Sequence, residues 1–349
     1  MRTSKLWGEN KVKKMPLRLG AVMLLLAMPN PTWAASQAGR VTMNFDLSAQ
    51  KAGEEVKLWI PYPISDREQL ITDIKVSGDC TASAVYTDPV CGNAILFAIW
   101  DKDAKSRKLT LSYHAKRQEI SRKVFPAQET YWDSADYQPY LTPTLFGPVT
   151  GEVKKLADTI TKGLNTVQAK AKAIYDWICQ HMYRDPETRG CGTGDVRALL
   201  QKPGGKCTDI SSVYVALARA AGVPAREIFG LRLGKKSEED ITQYQHCWAE
   251  FFLPGYGWVP VDPADVRKAM LVEKLKPEDP KTKAYEQYFW GGIDQYRIKL
   301  AVGRDLILNP PQSGEPLNTF GYPFAQVGTR TIDWLEPATF QYQFTWKAQ

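Results

Sequence analysis

Three residues in the second half of the chain have side chains suited to nucleophilic chemistry, and the first is a cysteine. Cys207 follows two glycines in the run Gly204-Gly205-Lys206-Cys207, and helical periodicity begins there. This pattern predicts a cysteine in the first turn of a helix, where free N–H groups and the helix dipole favour the thiolate. The glycines allow a tight turn and leave room for a substrate to approach. A cysteine alone would more simply be a small buried apolar residue or half of a disulfide.

The other two residues are a possible base and a possible orienting carboxylate. His246 lies on a strand predicted over residues 244–252, and Asp262 ends a strand predicted over 257–261. The short connection between them contains Pro and Gly, which predicts antiparallel neighbours about 4.8 Å apart. Separately, His246 could be a satisfied core histidine and Asp262 a turn residue before a proline. Together, the three residues favour a nucleophile, a base and a group that orients the base.

The elements that must position these residues belong to two kinds of segment, and the first is β-rich. Residues 40–125 alternate apolar and polar side chains with the period of two that strands require. Few helical periods occur, so the pattern predicts an antiparallel β-sandwich-like domain over residues 35–125. Residues 126–150, rich in Tyr, Pro and Thr, predict a surface linker. The apolar faces are Val41, Met43, Phe45 and Leu47; Val56, Leu58 and Ile60; and Leu109, Leu111 and Tyr113.

The second kind of segment begins with helical periodicity after Gly151. Helices come first and strands later, which indicates the α+β class rather than alternating α/β. We expect a core domain over residues 151–325 and a C-terminal β segment over 326–349, with the charged stretch 235–240 as a solvated loop. The predicted helices lie at about 153–160, 167–178, 207–221 and 281–289, and the predicted strands at 226–233, 244–252, 257–261, 297–302 and the aromatic row 340–346.

The first 34 residues have the order of features typical of a signal peptide. Basic residues between 11 and 18 precede an apolar run over 19–28, and Thr32-Trp33-Ala34 offers small residues at a cleavage site. The run is too short to cross a bilayer of about 30 Å as a helix. An uncleaved anchor or a buried helix is the alternative. We expect cleavage near Ala34 and a periplasmic or secreted protein without a transmembrane segment in its mature chain.

Charge argues against a nucleic-acid partner. The formal charge is +7, but the first 34 residues hold six basic residues and one acidic residue. The remainder therefore has 39 basic and 37 acidic residues, which is no electrostatic footprint for nucleic acid.

Six cysteines in an oxidising compartment are free to pair. Cys80 could pair with Cys91, and Cys179 with Cys191, which leaves Cys207 and Cys247. The sequence does not decide the connectivity, because six cysteines permit about 15 pairings. The absence of a C-x-x-C motif argues against a disulfide oxidoreductase or a zinc ribbon, and three histidines argue against a histidine-rich metal site.

Longer motifs surround the three candidate residues. They are Gly205-Lys206-Cys207-Thr208-Asp209, the run Ala218-Arg219-Ala220-Ala221-Gly222-Val223-Pro224-Ala225-Arg226, His246-Cys247-Trp248-Ala249-Glu250, and Val261-Asp262-Pro263. In this order they resemble the transglutaminase-like core of secreted bacterial members of the papain-like cysteine-enzyme superfamily. The matched segment covers about residues 150–265.

The resemblance implies helices packed on an antiparallel sheet and a Cys–His–Asp triad. Cys207 would be the nucleophile, His246 the base and then the acid, and Asp262 the orienting group. Trp248 would form a substrate-contacting wall, and Arg226 would be structural. The Cys207 N–H is a natural oxyanion donor, while the second donor stays open among Gln180, Tyr183 and their neighbours.

The same resemblance implies neither cofactor nor metal, since no D-x-D-x-D-G loop is present for calcium. Cys247 should face away from His246 on the strand, which favours packing or a disulfide for it over catalysis.

The expected activity is attack of the Cys207 thiolate on a peptide or glutamine amide, followed by transfer of the acyl group from the thioester to water or an amine. The partners would be protein or peptide substrates and components of the cell envelope. A non-catalytic binding or scaffold protein with the same fold is the alternative. A third interpretation makes the N-terminal β domain the working part, recognising cell-wall or protein surfaces.

Overall fold

The computed structural model describes residues 35–51 and 53–349, so the predicted signal peptide lies outside the described residues. The N-terminal strands are β1 (Ser36–Asp46), β2 (Val56–Pro61), β3 (Gln69–Gly78), β4 (Ala82–Thr87), β5 (Ala94–Trp100), β6 (Lys108–Gln118) and β7 (Ile120–Ser121). A 3-10 helix at Ser134–Tyr140 interrupts the segment expected to be a linker.

Helices and strands of the following segment come in the expected order. They are α1 (Glu152–Ile160), α2 (Val167–His181), β8 (Tyr183–Arg184), α3 (Val196–Gln201), β9 (Gly204–Gly205), α4 (Cys207–Ala220), β10 (Ala225–Arg232), β11 (Glu238–Asp240), β12 (Gln245–Leu253) and β13 (Gly257–Val261). The rest are α5 (Pro263–Glu273), α6 (Pro280–Phe289), β14 (Gly292–Ile293), β15 (Arg297–Val302), β16 (Phe324–Val327), β17 (Arg330–Ile332) and β18 (Gln341–Ala348).

Two five-stranded sheets form the expected β-sandwich. Their strand orders are β11-β18-β1-β6-β3 and β17-β16-β2-β5-β4, and every pairing within them is antiparallel. The apolar faces predicted on β1, β2 and β6 are buried in one core between the sheets. The period of two therefore identified the inner face of each strand.

The C-terminal strand completes the N-terminal sheet. β18 pairs along β1 from Gly39 opposite Ala348 to Asp46 opposite Gln341. Its buried residues Phe344 and Trp346 point into the sandwich core, as expected for an aromatic row. β16 likewise pairs with β2. Residues 34–349 group as one unit by contacts, and the sequence-based domain boundaries stay a prediction.

A four-stranded antiparallel sheet, in the order β13-β12-β10-β15, carries the candidate site. Helix α4 is buried along its whole length and packs on β12 and β10. A second core lies around α2, α4 and this sheet, and it also takes Trp59, Ile95 and Phe97 from the sandwich. The α+β class is thus confirmed, with helices on an antiparallel sheet beside a sandwich.

The structure contains elements that the sequence analysis did not predict. Strand β11 lies within the charged stretch 235–240, because it pairs with the edge strand β18. Helices α3 and α5 were not predicted.

No helix of the described residues is long and apolar enough to cross a membrane.

Candidate active site

Cys207 is the first residue of α4, and a buried carboxylate fixes the backbone around it. Oδ2 of Asp209 accepts the Lys206 N–H at 3.0 Å, and Oδ1 accepts the Gly194 N–H at 2.8 Å. Gly192 has φ +92°, and a Cβ there would collide with this carboxylate, so glycine is required. Asp209 thereby ties the preceding loop to the start of the helix.

The glycines before Cys207 make room for the protein's own side chains. A Cβ on Gly204 would meet the Tyr183 ring, and a Cβ on Gly205 would lie 2.5 Å from the Asp209 carboxylate. The expectation that this space admits substrate is therefore corrected. Tyr183 and Gln180 are exposed, and neither lines the cleft in front of Cys207. The second oxyanion donor stays open.

The structure brings His246 and Asp262 together as predicted from their strands. β12 and β13 pair antiparallel, with Ala249 opposite Val261. His246 Nε2 lies 2.7 Å from Asp262 Oδ2, and both side chains are buried. Asp262 also caps α5, because its Oδ1 accepts the Asp265 N–H at 2.9 Å. Both carboxylate oxygens thus have fixed partners, which orients the imidazole.

The His246 ring lies close enough to the Cys207 sulfur to help lower the pKa of that thiol. Since Nε2 of the imidazole is committed to Asp262, Nδ1 is the nitrogen left to face the thiol. The site therefore groups a thiol, an imidazole and a carboxylate, with the carboxylate bound to the imidazole.

A buried arginine, not predicted from the sequence, lies behind this chain. Arg297 is fully buried; its Nη1 pairs with Asp262, and its Nη2 lies 2.6 Å from Asp265 and 2.9 Å from Asp294. Arg232 binds the other oxygen of Asp265 at 2.5 Å. His246 Nε2 thus lies 2.7 Å from Asp262, 3.3 Å from Arg297 and 3.8 Å from Asp265.

The charges of this network reinforce each other. Burial by itself lowers the pKa of Arg297, but the carboxylates of Asp265, Asp262 and Asp294 raise it above its ordinary value. Burial would raise the pKa of Asp265, but the guanidiniums of Arg232 and Arg297 hold it well below its usual range. Asp265 therefore stays ionised next to His246.

Sequence patterns could have identified Asp265 but not Arg297. Asp262-Pro263 is a typical helix start, with an N-cap acid and proline at the first helical position, and Asp265 follows in the first turn. Arg297 comes from β15, 35 residues beyond Asp262, and no local pattern marks an arginine that pairs at that separation.

Two further thiols touch the Cys207 sulfur. The sulfur atoms of Cys191, Cys207 and Cys247 all lie within 4.8 Å of one another, and all three residues are buried. Thr208 Oγ1 lies 3.2 Å from the Cys247 sulfur, and the Tyr322 hydroxyl donates to the Cys191 sulfur at 3.2 Å. Cys247 therefore packs beside Cys207, in line with the packing role expected for it.

The three thiols titrate differently because one sulfur accepts hydrogen bonds from the other two. Hydrogen bonds from Cys191 and Cys247 lower the pKa of Cys207 well below its ordinary value, against burial, and the His246 ring lowers it further. The hydrogen bond to Cys207 raises the pKa of Cys191, and burial raises that of Cys247. The arrangement favours one thiolate with two thiol donors.

The expected disulfides are absent, since all six cysteines are free thiols. Cys80 packs against the sandwich core, whereas Cys91 packs against the helical core, so the two lie on different cores. Cys179 is buried on α2 in the helical core, and Cys191 belongs to the cluster around Cys207. Packing thus separates the partners that sequence spacing suggested.

Trp248 occupies a different place from the expected substrate wall. Its side chain is 1% exposed and packs with Ile228 and Ile293, away from the cleft surface. The ring lies 6.3 Å from the His246 ring at an angle of 25°. It therefore supports the imidazole from behind.

Arg226 has structural contacts, as interpreted from the sequence. Its guanidinium binds Glu250 on the neighbouring strand at 2.7 Å and lies 3.9 Å from the centre of the Trp258 ring.

Cys207 and His246 open into a cleft of about 1010 Å³. Its walls come from the loop before α4, the start of β12, α5 and the segment after β17. The volume is of the size that drug-sized ligands or short peptide segments occupy.

Among the described residues, two groups of donor atoms are close enough to hold a metal ion, and both include residues of the predicted triad. One is the three-thiol cluster, and the other is His246 with Asp262 and Asp265. In the second group, a cation would compete with two guanidiniums already bound to the carboxylates. Neither group offers donors that are independent of the catalytic residues.

Fold and site together define a transglutaminase-like protein with a buried Cys–His–Asp cluster. The sequence model of the Transglutaminase-like superfamily matches residues 154–263, and this segment belongs to that superfamily. The matched segment runs from α1 to the first residue of α5 and includes all three residues of the cluster. The resemblance inferred from the motifs is confirmed.

Two proteins and one solved structure are similar to this chain. A Haemophilus influenzae protein, described only as uncharacterized, is 37% identical over 88% of this chain and 90% of its own length. A Pseudomonas aeruginosa protein-glutamine gamma-glutamyltransferase is 25% identical over 46% of this chain and 26% of its own length. The solved structure of a candidate cysteine protease from Cytophaga hutchinsonii superposes with a TM-score of 0.51 at 14% identity, covering 90% of this chain and 99% of that one. This last likeness concerns the fold alone.

Proposed function

We propose that the protein is a cysteine enzyme that acts on amide bonds, peptide or glutamine side chain, through a thioester on Cys207. The observation that carries the proposal is the buried grouping of Cys207, the His246 ring and Asp262, in which His246 Nε2 lies 2.7 Å from Asp262 Oδ2. It opens into a cleft large enough for a peptide segment. Membership of the transglutaminase-like superfamily supports the same chemistry.

In the first half of the reaction, the thiolate of Cys207 attacks the amide carbonyl carbon. The oxyanion that forms accepts a hydrogen bond from the Cys207 N–H at the start of α4, where helix N–H groups have no carbonyl partner within the helix. The imidazolium of His246 then gives its proton to the departing amine, and the thioester remains. Asp262, with Arg297 behind it, keeps the imidazole oriented during this transfer.

In the second half, an acceptor attacks the thioester with His246 as the base. Water as acceptor releases a carboxylic acid, and a primary amine releases a new amide; either regenerates the Cys207 thiol. The triad serves both outcomes equally, because access of water and of an amine decides between them.

We propose a location outside the cytoplasm, periplasmic or secreted. The support is the order of basic, apolar and small residues in the first 34 positions. Detection of a mature N-terminus near Ala35 after expression in a bacterium would test it, and a chain that keeps its first residues in the cytoplasm would contradict it.

The experiment for the activity uses β-casein as a glutamine-containing protein substrate, with and without a primary amine. Mass spectrometry of the products separates cleaved or deamidated casein from casein that carries the amine. We expect wild-type protein to give one of these products and Cys207→Ala to give none, a loss of at least about 10³-fold. Cys80→Ala is the matched control, since Cys80 packs on the sandwich core.

Equal products from wild type and Cys207→Ala would contradict the proposal. Absence of product from both, together with a Cys207 that iodoacetamide does not modify at pH 6, would favour the non-catalytic scaffold instead. Reactive Cys207 without product would direct the search to other amides.

A further inference from the structure

The walls of the cleft in front of Cys207 carry far more positive than negative charge. Seven basic side chains line it: Arg184, Arg189, Lys206, Arg232, Lys235, Lys236 and Lys268. Two acidic side chains line it, Glu239 and Asp294. The overall charge does not explain the imbalance, because residues 35–349 contain 39 basic and 37 acidic residues.

The two acids already have partners of their own. Glu239 accepts hydrogen bonds from the Tyr244 hydroxyl at 2.8 Å and from the Lys235 N–H at 2.8 Å. Asp294 pairs with the buried Arg297 at 2.9 Å. Among the described residues, neither carboxylate makes an ion pair within 4 Å with a basic side chain that lines the cleft.

Most of the basic side chains, by contrast, have no acidic partner. Arg232 pairs with Asp265 and Arg189 with Asp333. Among the described residues, the other five make no ion pair within 4 Å. A cleft with unpaired cations attracts anions, because its walls focus the field.

Three of these five cations reach the cleft next to the nucleophile from different elements. Arg184 lies on β8, which pairs with β9 so that Arg184 is opposite Gly205. Lys206 immediately precedes Cys207, and Lys268 lies on α5, which packs against β8. Burial and repulsion from Arg232 lower the pKa of Lys268, the Asp265 carboxylate opposes this, and repulsion from Arg184 lowers the pKa further. Lys268 and Arg184 are therefore close enough to repel each other.

We propose that Arg184, Lys206 and Lys268 form an anion subsite that binds a carboxylate of the substrate beside the scissile amide. The preferred substrates are then acidic peptides, whose carboxylate is supplied by a Glu or Asp side chain or by a free C-terminus. The inference rests on the proposed amide chemistry, because it assigns the substrate class to that same cleft.

Binding and turnover are measured separately on three fluorescent decapeptide libraries of otherwise mixed sequence. The first has two fixed Glu residues and an amidated C-terminus, the second has Gln in their place, and the third has Gln with a free C-terminal carboxylate. Fluorescence anisotropy reports binding to full-length Cys207→Ala, and mass spectrometry reports turnover by wild type, with and without a primary amine.

We expect Cys207→Ala to bind the Glu library about 10-fold more tightly than the amidated Gln library, with a preference that shrinks as salt rises. Adding Arg184→Gln, Lys206→Gln and Lys268→Gln should abolish the preference. The control with the same charge change is Lys102→Gln, Lys105→Gln and Lys155→Gln, at exposed positions outside the cleft, and it should keep the preference.

The outcomes separate this proposal from the proposed activity. Equal binding of all libraries, or a preference that survives loss of the three cations, would overturn the anion subsite even if wild type turns the peptides over. A preference without turnover would support the subsite and contradict the activity. Tight binding of the third library alone would assign the carboxylate to the substrate's C-terminus.

Discussion

The sandwich core and the triad region are both buried, but the first consists of apolar side chains and the second contains charged ones. Between the sandwich sheets, apolar side chains such as Leu58, Leu111 and Trp346 meet from many strands. Around the triad, Asp262 and Arg297 are fully buried as charges. The sandwich therefore spreads its stabilisation over many replaceable contacts, whereas the site depends on a few charges that compensate one another.

Arg297→Met should give the largest loss of stability, because it removes the cation that neutralises the buried carboxylates. It leaves the buried carboxylates of Asp262 and Asp265 without their shared cation, so we expect the free energy of unfolding to fall by about 3–5 kcal/mol. Urea unfolding measures this loss. The control is Arg189→Met, whose ion pair with Asp333 is exposed and should contribute at most about 1 kcal/mol. Equal effects of the two substitutions would contradict the account.

Leu111→Ala tests the sandwich side of the comparison. Leu111 is fully buried between the sheets, and its truncation should cost about 3 kcal/mol by leaving a cavity. In contrast to changes around the triad, it should leave the pH dependence of Cys207 alkylation unchanged. A shift in that pH dependence would show that the two regions are coupled, against our expectation.

Cys191→Ala should have the smallest effect, confined to the reactivity of the nucleophile. The substitution removes one thiol that donates to the Cys207 thiolate, so the pKa of Cys207 should rise. We expect the alkylation rate at pH 6 to fall about 3- to 10-fold, with stability changed by less than about 1.5 kcal/mol. An unchanged rate would mean that Cys191 does not help to lower the pKa of Cys207.

The sequence was sufficient for the parts of the molecule that rest on local patterns. The period of two identified the inner faces of β1, β2 and β6, and the helix start before Cys207 and the neighbouring strands of His246 and Asp262 followed from adjacent motifs. The approach of Arg297 to Asp262 and the pairing of β18 with β1 join distant segments. Such pairings depend on the complete fold, and local periodicity does not predict them.

The positions of Cys247 and Trp248 also could not be predicted from local patterns. Strand alternation directed Cys247 away from His246, but it did not reveal that the start of α4 lies against that face. Trp248 shares a motif with His246 and yet lies behind the imidazole. Proximity in a motif therefore located the site, while three-dimensional packing decided which side chains face the cleft.

The most direct test of the triad is the pH dependence of Cys207 alkylation by iodoacetamide, followed by peptide mass spectrometry. Because the folded protein lowers the pKa of Cys207, the thiolate should persist as pH falls, and alkylation should be lost only well below the ordinary thiol value of about 8.5. Burial raises the pKa of Cys91 to about 11, so this internal control should react only at high pH. His246→Ala should move the Cys207 midpoint upward. A wild-type midpoint at or above about 8.5, or one that His246→Ala leaves unchanged, would contradict the triad.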